Sequence, residues 1–97
     1  MEVIIRTYHG KGTRKLFDVG EQHETELQSL MRAVPGLVSF TLARNDQGGF
    51  SVTICQNQQG IEQSVKIARD FMTQHAPDAC LAAMHISEGK VITHLQQ

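Results

Sequence analysis

The fold is decided by residues 35–56, PGLVSFTLARNDQGGFSVTICQ, in which two alternating runs flank a short polar segment. Each run alternates apolar with small polar residues, which is the pattern of a β-strand. The segment between the runs, Arg44–Gly49, is rich in Asn, Asp and Gly, the residue types that favour turns. The stretch therefore predicts an antiparallel hairpin with a loop of several residues.

Alternation divides the predicted hairpin into two faces, because successive strand residues point to opposite sides of a sheet. One face is fully apolar and consists of Val38, Phe40, Leu42, Phe50, Val52 and Ile54. The other face is small and weakly polar and consists of Ser39, Thr41, Ser51, Thr53 and Cys55. We expect helices to cover the apolar face. The Ser/Thr face lacks the charges of a solvated sheet, so we expect it to stack on the sheet of a second copy of the chain.

Hydrophobic periodicity predicts the remaining elements. Residues Val3–His9 alternate and are rich in β-branched side chains, as in a first strand. Over Thr13–Val34, apolar residues recur every three to four positions, which indicates one amphipathic helix. A second helix follows the predicted N-cap residue Asn57. It is followed by a fourth strand over residues 80–86 and a short terminal strand, Val91–Leu95.

This order, βαββαβ plus a terminal strand, is the split βαβ or ferredoxin-like arrangement. We therefore predict an α+β fold in which two helices lie on one face of an antiparallel sheet with strand order 4-1-3-2. Residues 1–97 are enough for one domain with its own core.

Charge and hydropathy argue against two classes of partner. Nine Lys and Arg residues stand against ten Asp and Glu residues, so no overall field attracts nucleic acid or anionic lipid. No apolar run is long enough to span a bilayer. We expect neither a nucleic acid nor a membrane as partner.

The two cysteines, Cys55 and Cys80, form no CxxC motif. On the predicted strand order the first strand lies between them, which separates them by roughly 9 to 10 Å at about 4.8 Å per strand. A disulfide needs Cα atoms within about 7 Å of each other. We therefore expect two reduced thiols and a cytoplasmic protein.

The chain resembles the small dimeric α/β-barrel proteins that include the antibiotic-biosynthesis-monooxygenase-like (ABM-like) domains, and is most similar to uncharacterised bacterial members. The resemblance covers nearly the whole chain and rests on residues 34–39 (VPGLVS), the hairpin segment Arg44–Gly49 and the ending Ser87–Val91. It implies a homodimer in which two sheets stack into a barrel, with a pocket between each sheet and its helices. Some active members of the group are monooxygenases that oxidise aromatic polyketides without metal or flavin. Others degrade haem. The sequence contains no Trp, which those members use, so the resemblance assigns no catalytic residue here.

The first predicted helix offers a candidate pocket. Gly20 and His23 fall on its apolar stripe, so a missing side chain lies one turn from an imidazole. Such a notch suits a small hydrophobic or aromatic ligand, which the protein would bind or oxidise. The predicted lining consists of Phe17, Gly20, His23, Leu27, Phe40, Val52 and Met84. Alternatively, Gly20 permits close packing and His23 is a core histidine bonded to a strand hydroxyl such as that of Thr7.

Two other functions remain open. The loop Gly10–Arg14 precedes a helix N-terminus, which can hold an anion. Together with Asn45, it loosely resembles the loop of acylphosphatases, small ferredoxin-like hydrolases. A non-catalytic dimer that acts through protein contacts is the third alternative.

The five histidines, His9, His23, His75, His85 and His94, show no HxH or HxxxH spacing. Such a spacing would place two metal ligands on one face of a single element. We therefore predict neither a bound metal nor another cofactor.

Overall fold

The computed structural model describes residues 1–77 and 83–97 of the chain. Within these ranges, the helices and strands follow one another in the order βααββαβ. Their bounds are β1 Glu2–His9, α1 Thr13–Gln22, α2 Glu24–Arg32, β2 Leu37–Asn45, β3 Gly48–Cys55, α3 Gln58–His75 and β4 Ala83–Lys90.

The four strands form one antiparallel sheet in the order β2-β3-β1-β4. The helices pack on one face of this sheet, α1 and α3 against β3 and α2 against β2. Ile4, Met31, Ile61 and Phe71 are among the buried residues between the layers. The predicted ferredoxin-like fold and its strand order are therefore confirmed.

The hairpin has a tighter loop than predicted, and this reverses the faces of β3. Asn45 pairs with Gly48, so the loop is only Asp46 and Gln47, and the Asn45 side chain accepts a hydrogen bond from the Gln47 amide at 3.0 Å. With a two-residue loop, Leu42 lies opposite Ser51. Because opposite residues share a face, the large side chains of β2 lie with the small ones of β3.

The helices therefore cover a mixed face. On β3 they cover Ser51 and Thr53, each only 2% exposed. The predicted apolar face, with Val52 among its members, is wrong for β3: its three large residues point away from the helices. Arg6 pairs with Ser51, so it lies under the helices as well.

The sheet face away from the helices, here called the outer face, is more apolar than the predicted Ser/Thr face. The register places these residues on it: Val3, Ile5 and Thr7 of β1, Ser39, Thr41 and Ala43 of β2, Phe50, Val52 and Ile54 of β3, and His85 and Ser87 of β4. Among the described residues, no element covers this face, and Ile5 at its centre is 37% exposed.

The predicted first helix is two helices with a break at His23. His23 leaves the helical conformation with φ −115° and ψ 30°, although its amide still donates to the Val19 carbonyl at 3.0 Å. Gly20, His23 and Thr25 are weak helix formers, which makes a break here inexpensive. Each half keeps its own buried stripe, so packing on the sheet does not need a continuous helix.

The second predicted helix, α3, begins as expected, because the Asn57 side chain accepts a hydrogen bond from the Gly60 amide at 3.0 Å. None of the described helices is long and apolar enough to cross a membrane.

The end of the chain differs from the prediction. Strand β4 continues to Lys90, which pairs with Glu2, and the predicted terminal strand Val91–Leu95 is not formed. Part of the predicted fourth strand, including Cys80, lies outside the described residues.

Candidate ligand pocket between the sheet and the helices

A cavity of about 40 Å³ lies between the sheet and the helices and is called here the central cavity. Its polar lining comes from the sheet: Arg6, Tyr8 and Ser51. Its apolar lining comes from all three helices and from β2: Leu16, Phe17, Gly20, Leu27, Phe40, Leu42, Ala68, Phe71 and Met72. The site thus has a few polar groups in an apolar enclosure, which is typical of small-molecule pockets.

Two wider clefts adjoin the central cavity. The β2 cleft, of about 350 Å³, lies beside α1, α2 and β2 and shares Gly20 and Phe40 with the cavity. The β4 cleft, of about 390 Å³, lies between α3 and β4 and shares Arg6 and Tyr8 with it. The central cavity alone has room for water, whereas either cleft has room for a small organic molecule.

The polar side chains of the central cavity are well placed to bind a ligand. Burial raises the pKa of the Tyr8 phenol, and the neighbouring Arg6 and Ser51 side chains offset this only in part. Tyr8 therefore stays neutral at physiological pH and can donate a hydrogen bond. The Ser51 hydroxyl is buried and makes no hydrogen bond of good geometry with the described residues. A buried hydroxyl without a well-formed hydrogen bond is costly, and a ligand could supply one.

The structure brings together four of the seven predicted lining residues: Phe17, Gly20, Leu27 and Phe40 all line the central cavity. Met84 lines the neighbouring β4 cleft instead. Val52 cannot contribute, because it lies on the outer face.

His23 is displaced from the predicted pocket by the break between α1 and α2. Its ring stacks on His75, with ring centroids 3.9 Å apart, and meets the edge of Phe71. The alternative of a core histidine bonded to Thr7 is also wrong, because Thr7 lies on the outer face. Glu26 accompanies the stacked pair and lies 2.7 Å from His75.

Gly20 has one close neighbour outside its own helix, the side chain of Leu42. A Cβ atom added there would meet only the Leu42 Cδ2 methyl within 4 Å, at 3.2 Å. Leu42 is 38% exposed, so its side chain can move aside. This geometry favours a notch over a close-packing site.

Arg44, which sequence analysis did not assign, closes one side of the β2 cleft. Its guanidinium lies 3.1 Å from Asp18 and 2.8 Å from Glu21 on α1, and 5.9 Å from the centre of the Phe17 ring. The one indication in the sequence was the i, i+3 spacing of Asp18 and Glu21, which puts both carboxylates on one helix face where they can bind a cation.

The loop residues of the hydrolase alternative do approach one another. Arg14 and Asn45 line a common cleft with Asp18 and Asp46. Arg44 also lines this cleft but is paired with Asp18, and the Asn45 side chain is already used in the hairpin loop. This arrangement does not favour phosphate chemistry.

Sequence analysis assigned Ser51 to the face of the dimer contact and did not assign Arg6 or Tyr8 to a site. The face on which Ser51 lies depends on the length of the hairpin loop, so the polar lining could not be identified before that length was known. Phe71 and Met72 follow the apolar periodicity of α3, which alone gives no indication of a cavity.

Neither the protein-family models nor the curated proteins include a match to this chain. Solved structures do match. A dimeric ferredoxin-like protein from an uncultured marine organism is 12% identical, with a TM-score of 0.67 over 99% of this chain and 90% of that chain. MhuD with two manganese protoporphyrin IX molecules per active site is 15% identical, with a TM-score of 0.69 over all of both chains.

A third match is a monooxygenase encoded by ActVA-Orf6 of Streptomyces coelicolor, in complex with nanaomycin D. It is 15% identical, with a TM-score of 0.66 over 99% of this chain and 91% of that chain. At these identities the matches concern the fold. The resemblance predicted from the sequence is thereby confirmed at that level: the chain has the ferredoxin-like fold that ABM-type monooxygenases also adopt.

Proposed function

We propose that the protein is a homodimer that binds a small, flat hydrophobic molecule with an anionic or hydrogen-bond-accepting group. The observation that carries the proposal is the polar set Arg6, Tyr8 and Ser51 inside an otherwise apolar cavity. The ligand's polar group would meet these side chains, and its apolar body would occupy the β4 cleft. Hydrogen bonds and ion pairing with these side chains would offset the cost of desolvating the ligand's polar group.

The charges of the β4 cleft support an anionic group on the ligand. Arg6 and Arg69 both line it, and no carboxylate is among its described lining residues. Neither arginine forms an ion pair with another described residue. Met84 and Ile86 supply exposed apolar surface, 45% and 47% exposed respectively. Exposed apolar side chains beside guanidinium groups that pair with no described carboxylate suit an aromatic or aliphatic acid.

The outer face supports the homodimer. Five large apolar side chains lie on it in neighbouring positions of two central strands: Val3, Ile5, Phe50, Val52 and Ile54. A sheet face of this composition is stabilised by stacking on another sheet, and a second copy of the chain supplies one. The similar structure from the marine organism is described as dimeric, which agrees with this proposal.

Two of the similar structures hold flat molecules, namely manganese protoporphyrin IX and nanaomycin D. Those ligands belong to those proteins. They support the proposal only by showing that this fold accommodates planar organic molecules, and the ligand of the present chain is argued from its own lining residues.

We further propose that residues 1–97 form one domain that works in the cytoplasm. All described strands belong to one sheet, and its helix-covered side carries the core. Cys55 is a buried free thiol, which is common in reducing compartments. Cys80 is outside the described residues.

Binding of 2-naphthoate and of its uncharged counterpart 2-naphthol, measured by isothermal titration calorimetry, tests the proposed pocket. Arg6→Met should weaken naphthoate binding about tenfold or more, since a charge-assisted hydrogen bond contributes about 1.5 to 3 kcal/mol, and should change naphthol binding little. Arg32→Met, on the exposed side of α2, is the matched control and should change neither. Failure of the wild-type protein to bind either compound, or equal binding by the Arg6 variant, would contradict the proposal.

Gly20→Leu tests the notch in the same assay. The added side chain should enter the cavity and weaken binding of both compounds. It should lower the free energy of unfolding by less than about 1 kcal/mol, because the gain in helix propensity, about 1 kcal/mol, offsets the displacement of Leu42. A loss of about 1 to 3 kcal/mol in denaturant melts would instead indicate tight packing at Gly20.

A further inference from the structure

We propose that His23, Glu26 and His75 bind one divalent transition-metal ion. One potential ligand atom from each of these side chains lies within 4.8 Å of the other two. The His75 Nε2 atom is 2.7 Å from Glu26 Oε2, and the His23 ring stacks on the His75 ring at a centroid distance of 3.9 Å. Sequence spacing did not indicate this cluster, because the two histidines lie on different helical segments.

The ligand types identify the class of ion. Two imidazoles and one carboxylate suit Zn²⁺ and neighbouring transition metals, whereas Mg²⁺ and Ca²⁺ prefer oxygen ligands alone. Tetrahedral bonds of about 2.0 to 2.1 Å place ligand atoms about 3.3 Å apart. Ligand atoms therefore need to approach by about 1.5 Å at most, while Glu26 and His75 need to separate by about 0.6 Å. The two rings must also turn out of their stack, so that their in-plane lone pairs converge on the ion. Three protein ligands leave the fourth position to water or another small ligand.

A simple ion pair explains only part of this arrangement. The bond between Glu26 and His75 needs no third partner, yet His23 lies face to face with His75. A metal ion accounts for all three side chains, because it bonds both rings and the carboxylate through lone pairs.

The cluster joins two parts of the pocket wall. His23 lies at the break between α1 and α2, Glu26 in the first turn of α2, and His75 at the end of α3. Phe71, which lines the central cavity, has its ring centroid 4.7 Å from that of His75. A bound ion would therefore hold the end of α3 against α2 and fix Phe71 in the cavity wall. The site itself does not depend on the proposed ligand.

Titration of untagged, EDTA-treated protein with Zn²⁺ tests the site. We expect one ion per chain. Removing an outer-shell partner of a metal ligand already weakens binding 10- to 100-fold, so His23→Gln, His75→Gln and Glu26→Gln should each weaken it by about 100-fold or more. The matched control is His94→Gln, in the exposed C-terminal segment, which should bind as the wild type does.

A measurement on the unaltered protein covers the case in which a variant does not fold. Addition of one equivalent of Zn²⁺ should shift the imidazole ¹⁵N resonances of His23 and His75 and leave those of His9 and His94 in place. The proposal would be overturned if the wild-type protein did not bind Zn²⁺, or if the folded cluster variants bound it with wild-type affinity. It would also be overturned if His94→Gln lost binding, or if only the resonances of other histidines shifted.

Discussion

Val52→Arg should convert the protein into a folded monomer, whereas Arg at the next position, Thr53, should unfold the chain. The two residues are adjacent on β3 but lie on opposite faces of the sheet. Val52 pairs with Ile5 and Thr41 on the outer face. In a dimer, a charge at this position would be buried without a partner, so we expect the dimer to dissociate. In the separate subunit the charge would face solvent, so we expect the subunit to stay folded.

Thr53 is 2% exposed and lies under the helices, paired with Ile4 and Phe40. An arginine at this position has no room, and the neighbouring Ile4 and Phe40 side chains offer no counter-charge. The cost of a buried, unpaired charge is several kcal/mol, and it adds to the cost of overpacking. Together these reach a typical stability of about 5 to 15 kcal/mol, so we expect no cooperative unfolding transition in this variant.

Light scattering combined with circular dichroism distinguishes the two variants. The wild-type protein should have twice the chain mass of 10.8 kDa, and the Val52 variant should have that mass once, with a native spectrum. Gln63→Arg, on the exposed side of α3, is the matched control and should remain a dimer. A folded Thr53 variant that is monomeric, beside a dimeric Val52 variant, would mean that the two sheet faces are assigned the wrong way round.

Leu27→Arg and Leu30→Arg, two substitutions on the same helix α2, should differ strongly in their effect on the free energy of unfolding. Leu27 is 7% exposed and belongs to the core, whereas Leu30, three residues later on α2, is 36% exposed. Loss of a buried leucine side chain costs about 2 to 5 kcal/mol, and the buried charge adds to that. The Leu27 variant should therefore unfold, and the Leu30 variant should lose less than about 1 kcal/mol.

Urea denaturation followed by far-ultraviolet circular dichroism measures both free energies of unfolding. Equal stability of the two variants would contradict the way in which α2 packs on the sheet.

The strand order was predictable because it follows from element order and from the strong alternation in residues 35–56. The faces of β3 were not, since they depend on whether the loop has an even or odd number of residues. With Asp46 and Gln47 alone as the loop, Leu42 lies opposite Ser51. One more loop residue would exchange the two faces of β3. Composition could not decide this, because Asn, Asp and Gly fit loops of both kinds.

The candidate sites show the same limit. Phe17, Gly20 and Leu27 were predictable as pocket residues because one helical stripe carries them all. His23 lies on that stripe too, but the chain breaks at this residue and turns its ring toward His75. Contact between residues so far apart in sequence depends on how the helices pack, which periodicity within each helix does not specify.

The most direct test of the proposed pocket is the pattern of intermolecular nuclear Overhauser effects between bound 2-naphthoate and the methyl groups of the protein. The central claim is that the ligand lies between the sheet and the helices. Effects to the methyl groups of Ala68 and Met72, which line both the central cavity and the β4 cleft, and to those of Met84 and Ile86 in the β4 cleft, are predicted. Effects to Ile5 and Val52 of the outer face, with none to the cavity residues, would contradict it.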